Sequence, residues 1–92
     1  MNEKADDRQI LFFHLPQCPH CLRARQLMAE LFVRHPEYKD IPIREVNELN
    51  ETAIANAHNY YFVPSFFVGG KKIFEGRPSY KKIKKVFEAA AD

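Results

Sequence analysis

Ile10-Leu11-Phe12-Phe13 makes the stretch from Gln9 to His14 a nearly unbroken apolar run. Continuous apolarity over so few residues is the pattern of a central strand covered on both faces, and such a strand obliges helices to pack on either side of it. The next segment supplies one. From Pro19 to about Arg34, the residues Ala24, Leu27, Met28, Leu31, Phe32 and His35 recur at helical spacing, while Arg23, Arg25, Gln26, Glu30 and Arg34 fall on the opposite face. Pro36 stops this helix.

At the junction of strand and helix stands Cys18-Pro19-His20-Cys21, which holds the only two cysteines among the 92 residues. Two cysteines three positions apart at a helix start lie near the Cα separation a disulfide needs, roughly 5.5–6 Å. The free N–H groups and positive dipole end of a helix start favour a thiolate over a thiol. Cys18 takes that position. Pro19 suits the first helical residue because its missing N–H would have had no intrahelical partner. His20 can give a hydrogen bond or a positive charge to a neighbouring sulfur. Cys21 lies one turn in and is expected to be more covered, so Cys18 is read as the attacking sulfur and Cys21 as the resolving one.

Other uses of two cysteines fit less well. A bridge closing so short a loop constrains the unfolded chain little. A zinc site would need ligands from His14, His20, His35 or His58, whose spacing matches no zinc pattern, and there is no second cysteine pair. Two inert buried thiols are the remaining alternative. A Cys-x-x-Cys beside a βαβ pattern favours redox chemistry.

The rest of the chain completes that pattern. Ile41 to Val46 is expected to form a second strand, pushed toward a sheet edge by Pro42. Asn47 or Asn50 is positioned to cap a helix running through about Asn59, with Leu49, Ala53, Ile54 and Ala57 turned inward. Ser65-Phe66-Phe67-Val68, Gly69-Gly70 and Lys71-Lys72-Ile73-Phe74-Glu75 read as a hairpin whose glycines supply positive φ. After Gly76-Arg77-Pro78, Ser79 can cap a last helix with Ile83, Val86, Phe87 and Ala90 on one stripe. Its outer face carries Lys81, Lys82, Lys84 and Lys85, read as a solvated face and not a nucleic-acid surface, since no stacking aromatics accompany it. The predicted order is β-α-β-α-β-β-α, an α/β fold with a four-stranded mixed sheet flanked by three helices, in one domain over residues 1–92. A net charge of +2 demands no polyanionic partner, and no apolar stretch approaches the ~20 residues of a membrane span. With a polar N-terminus from Met1 to Arg8, the expected compartment is the cytoplasm.

Cys18-Pro19-His20-Cys21, Val63-Pro64-Ser65 and the Gly69-Gly70 hairpin together resemble the thioredoxin superfamily in its small glutaredoxin-like form, over almost the whole chain. The resemblance implies that Pro64 is the cis proline lying against the active-site pair, and that the backbone of Val63 pairs with a substrate chain. Strand-like pairing of that kind reads backbone and suits many protein substrates. It further implies an enzyme, a dithiol–disulfide oxidoreductase acting on protein disulfides, with no metal or organic cofactor beyond its own Cys18–Cys21 disulfide. Its partners would be protein disulfides and a reductant, either a reductase such as thioredoxin reductase or glutathione, and the chain would act as a monomer.

Departures from the family pattern bear on that choice. Gln17 and Phe12 stand where thioredoxins carry a tryptophan and a buried acid. His14 and Gly76-Arg77-Pro78 stand where glutaredoxins carry a lysine and an acidic pair that hold glutathione. Phe74-Glu75-Gly76-Arg77-Pro78 is loosely similar to a run in redoxins that serve ribonucleotide reductase and are reduced by thioredoxin reductase. Pro-His between the cysteines is similar to periplasmic disulfide oxidases, whose large helical insertion has no room here. The rival from another class is a redox-inactive module that holds a partner or a metal in the groove between Cys18 and Pro64.

Overall fold

The computed structural model describes residues 9–91. Asp92 and the polar stretch from Met1 to Arg8, which the sequence reading places in the same domain, lie outside the described residues. The chain runs β1 (Ile10–His14), α1 (Pro19–Arg34), a 3₁₀ helix (Pro36–Asp40), β2 (Ile43–Asn47), α2 (Thr52–Asn56), β3 (Ser65–Val68), β4 (Lys71–Glu75) and α3 (Tyr80–Ala91). The sheet order is β2-β1-β3-β4. β1 pairs parallel with β2, from Ile10 against Ile43 to His14 against Asn47, and antiparallel with β3, while β3 and β4 form the hairpin. This is the expected α/β architecture, a mixed four-stranded sheet with three helices.

The apolar run of β1 is central because it feeds two cores. Ile10 and Phe12 face the larger one, with Ala24, Leu27 and Leu31 of α1, Phe66 and Val68 of β3, and Ile83, Val86 and Phe87 of α3. Phe13 faces the smaller one, with Val46, Ala55 and Phe67. Phe66 stacks between Phe12 (4.6 Å between ring centroids) and Phe74 (5.1 Å), so an aromatic row crosses three strands. Gly69 and Gly70, at φ of 58° and 82°, make the hairpin turn that side chains with a Cβ would strain. The register of the hairpin shifts between Phe66 and Phe67, within β3. The helix ends obey their sequence signals: the His35 N–H reaches Leu31 O at 2.7 Å just before Pro36, and Ser79 Oγ accepts from the Lys82 N–H at 3.2 Å.

Segment 47–59 departs from expectation. The helix there is only Thr52–Asn56, with Glu51 at its N-cap. Asn47 does not cap it; its Oδ1 accepts from the Leu49 N–H at 2.9 Å, the side-chain turn by which asparagine competes with helix. That turn spends four residues before the helix begins. Leu49 therefore points outward, 67 % exposed. Ala53 and Ala57 are exposed too, and the inward residues are Ala55 and, in part, Ile54. β2 likewise starts at Ile43, two residues later than the pattern predicts. The Pro42 carbonyl accepts from the Ile10 N–H at 2.9 Å, and proline has no N–H to give in return. As Pro42 suggests, β2 is an edge strand.

Candidate active site

β1 ends at His14, and the chain turns through Leu15, Pro16 and Gln17 to set Cys18 at the N-cap of α1. Its backbone is extended (φ −98°, ψ 116°), so its side chain folds back over the helix start, where Sγ accepts from the Cys21 N–H at 3.2 Å. Pro19 occupies the first helical turn without wasting a donor. The motif thus puts one sulfur where orphan N–H groups point. Cys18 is half-buried and Cys21 buried at 2 % exposure; both are free thiols.

The two sulfurs stand in contrasting surroundings. Burial, and next a hydrogen bond with the Cys18 sulfur, push the Cys21 thiol up to about 12, against smaller opposing effects of the Leu15 backbone and Arg25. Arg25, one turn further along α1, bonds Glu45 of β2 at 2.8 Å and stacks 5.0 Å over the Phe12 ring. Glu45 also lies 3.9 Å from His14 Nε2. Burial and then the Arg25 charge hold the His14 imidazole below its ordinary value, and its Nδ1 is buried without a hydrogen-bond partner. His14 is therefore packed at the strand end, beside a charged pair whose members, Arg25 of α1 and Glu45 of β2, lie 20 residues apart in the chain.

Opposite Cys18 lies the loop before β3. The Val63–Pro64 peptide bond is cis, and Pro64 is buried. Three hydrogen bonds hold this loop: Ser65 Oγ donates to Phe62 O (2.5 Å), the Tyr61 N–H to Glu75 Oε1 (3.0 Å), and the Gly76 N–H to Pro64 O (2.9 Å). The bond from the Tyr61 N–H is also the main reason the Glu75 carboxyl sits below its usual range. Val63, in contrast, makes no backbone–backbone hydrogen bond among the described residues. Its carbonyl faces the Cys18 sulfur at 3.8 Å. The structure thus brings Cys18, Cys21, Val63 and Pro64 together. Pro19 and His20 lie on the same helix start, but His20 is exposed and hydrogen-bonds neither sulfur.

Around Cys18 the surface is apolar. Leu15, Pro16, Gln17 and Leu49 line a depression that the sulfur shares, and Leu22 stands exposed at its side. Leu49 is the member that the sequence reading missed, having been assigned to a helix interior. The signal was Asn47, two residues before it, whose side chain makes the turn. Among the described residues no group of three or more His, Cys, Asp or Glu side chains converges as a metal site would require. No helix of the described residues is long and apolar enough to cross a membrane.

A parallel β1–β2 pair, an antiparallel hairpin beside it, a Cys-x-x-Cys at the first helix and a cis proline facing it define a redoxin of the thioredoxin superfamily. The chain belongs to the glutaredoxin family, whose model matches residues 10–73. Among solved structures, a mutant thioredoxin from Halobacterium salinarum is similar at a TM-score of 0.67 and 17 % identity, covering 100 % of this chain and 87 % of that one. The oxidised thioredoxin of Plasmodium falciparum is similar at 0.68 and 17 % identity, covering 100 % and 93 %. At that identity the likeness concerns the fold. No curated protein matches the chain. Family membership makes thiol–disulfide exchange the chemistry expected of the site.

Proposed function

We propose that the chain reduces protein disulfides, with Cys18 as the attacking sulfur and Cys21 as the resolving one. The observation that carries this reading is the partly open Cys18 sulfur at the helix start, with the Cys21 thiol behind it and the Val63 carbonyl, which accepts from the Cys18 thiol, 3.8 Å in front. Cys18 thiolate attacks one sulfur of the substrate disulfide, and the other leaves as a thiolate that takes up a proton. Cys21 then gives up its proton and attacks Cys18 Sγ, releasing the second substrate thiol and closing Cys18–Cys21. Two electrons pass to the substrate, and an external thiol reductant must return them. Val63 offers its N–H, and the C=O that the Cys18 thiol stops bonding once it ionises, to an extended substrate chain; Pro64 lies beside that backbone, and Pro19 and His20 tune the potential modestly.

The Cys21 thiol is far from ionised near neutral pH, so resolution is the step that needs help. A substrate chain seated on Val63 covers the site, and the thiolate released from it is a ready acceptor for the Cys21 proton. The apolar rim around Cys18 and the absence of the usual glutathione-holding residues at His14 and Gly76-Arg77-Pro78 favour a dithiol reductase such as thioredoxin reductase over glutathione as the reductant. In this reading the protein is a monomeric single domain of the cytoplasm and uses no metal or organic cofactor. Insulin reduction by dithiothreitol tests it. The wild type accelerates the reaction, Cys18→Ser does not, and Cys21→Ser accumulates a mixed disulfide. A wild type no faster than dithiothreitol alone would reduce the chain to a binding module, and a Cys18→Ser protein that still accelerates the reaction would overturn the role of Cys18.

A further inference from the structure

A second groove begins at His20, on the flank of α1 away from Leu49, and runs to the start of α3. It measures about 680 Å³, with Leu27 in its floor and His20, Arg23, Glu30, Arg77 and Tyr80 among its walls. Its charges are unbalanced. Glu30 is already paired with Arg34 at 3.2 Å. Among the described residues Arg23 meets only the neutral Gln26 side chain, at 3.3 Å. Arg77 engages Lys82 through its carbonyl oxygen, and its guanidinium meets no carboxylate among the described residues. His20 makes no ion pair or side-chain hydrogen bond among the described residues, and the Tyr80 hydroxyl is buried without a hydrogen bond among them.

Two guanidiniums and an imidazole thus face one channel whose single carboxylate is taken. The geometry points to this groove as the docking site for an acidic segment flanking the disulfide of a protein substrate, so that the enzyme selects its clients by the charge beside their cysteines. Arginine forks suit carboxylates, and opposite charge across a rim sets which partner arrives and how it is oriented more than how tightly it binds. The reach fits as well. His20 to Glu30 spans about 15 Å of helix, the length of roughly four or five extended residues. Carboxylates within that distance of the reacting cysteine would lie along Arg23 and Arg77.

This inference rests on the disulfide-reductase reading, and one experiment separates the two. Disulfide-bridged peptides with three Asp or three Lys beside one cysteine, and a neutral version of the same length, are offered to the reduced protein alongside bis(2-hydroxyethyl) disulfide. Failure of the wild type on the small neutral disulfide and on all peptides would sink the reductase reading. If reaction occurs, the docking claim expects the second-order rate constant at which the acidic peptide oxidises the reduced protein to exceed that for the basic one by about five- to tenfold at low salt, as a few exposed ion pairs allow. The preference should shrink as ionic strength rises. In Arg23→Glu/Arg77→Glu, with rates normalised to that variant's own neutral peptide, the order should reverse. Equal rates for the acidic and basic peptides in the wild type would overturn it. So would an unchanged acidic preference in the variant, or a variant altered only in its KM for glutathione, which would give the groove to the tripeptide.

Discussion

The sharpest quantitative consequence of the site concerns Cys21 as an isolated nucleophile. Cys18→Ser leaves Cys21 as the sole thiol and keeps a hydrogen-bonding oxygen beside it, while burial, the largest cause of its raised value, is untouched. In the intact pair, with a thiol at about 12, the thiolate fraction at pH 7.5 is about 3 × 10⁻⁵, against roughly 0.1 for an unperturbed cysteine. That is a deficit of about three and a half powers of ten, an upper figure because losing the Cys18 charge in the variant lowers the Cys21 value somewhat. A more basic thiolate is also the better nucleophile, and a Brønsted slope of about 0.4–0.5 returns about one and a half of them. The balance leaves Cys21 roughly 100-fold slower than a peptide thiol toward a small aromatic disulfide reagent, and the near-complete burial of its sulfur can only widen the gap. Stopped-flow measurement of Cys18→Ser from pH 7 to 10 should show that deficit and a rate that climbs tenfold per pH unit with no plateau. A plateau near pH 8.5–9, or a rate within about threefold of the peptide thiol, would refute the claim that burial keeps Cys21 protonated until resolution.

Two further outcomes follow from the packing and the helix start. Phe66 is fully buried between two stacked rings, so Phe66→Ala should cost about 3–5 kcal/mol by urea denaturation, and a loss below about 1 kcal/mol would show that the aromatic row is not what holds the three strands together. His20 is exposed and bonds neither sulfur, so His20→Ala should make the couple more reducing by no more than about 30 mV when equilibrated with glutathione buffers, a tenfold change; a shift beyond about 60 mV would mean a direct contact with the disulfide.

What could be read from the sequence was whatever has a period or a local rule. β1 and α1 declare themselves by an apolar run and a helical stripe, the hairpin by Gly69-Gly70, α3 by Ser79 and its apolar positions. The Cys18–Cys21 pair belongs to the same class, because a helix start and a three-residue spacing are local facts. Segment 47–59 was misread because two local rules compete there: Asn47 can cap a helix or make its own turn, and the Leu49 N–H chose the turn. The His14–Glu45–Arg25 cluster was beyond reach for another reason. Its members come from β1, β2 and α1, and only the register of His14 against Asn47 brings Glu45 to them. The groove from His20 to Tyr80 is long-range in the same way, since α1 and α3 meet only by packing on one face of the sheet.

A four-stranded open sheet has two rims, and each is a row of backbone groups that another extended chain could join. On β2 the rim carries exposed Arg44 and Glu45, and on β4 exposed Lys71 and Lys72. Lysines on an edge strand are a common guard against templated aggregation, because a second copy or a client chain would have to bury their charge to add a strand. For the proposed clients, extended disulfide-bearing chains, that guard would sort productive contact from harmful contact. Capture at the rims is discouraged, and the proposed pairing is left to the Val63 backbone beside Cys18. On that reading the same molecule could meet sticky, partly unfolded partners repeatedly without becoming the seed of their precipitation.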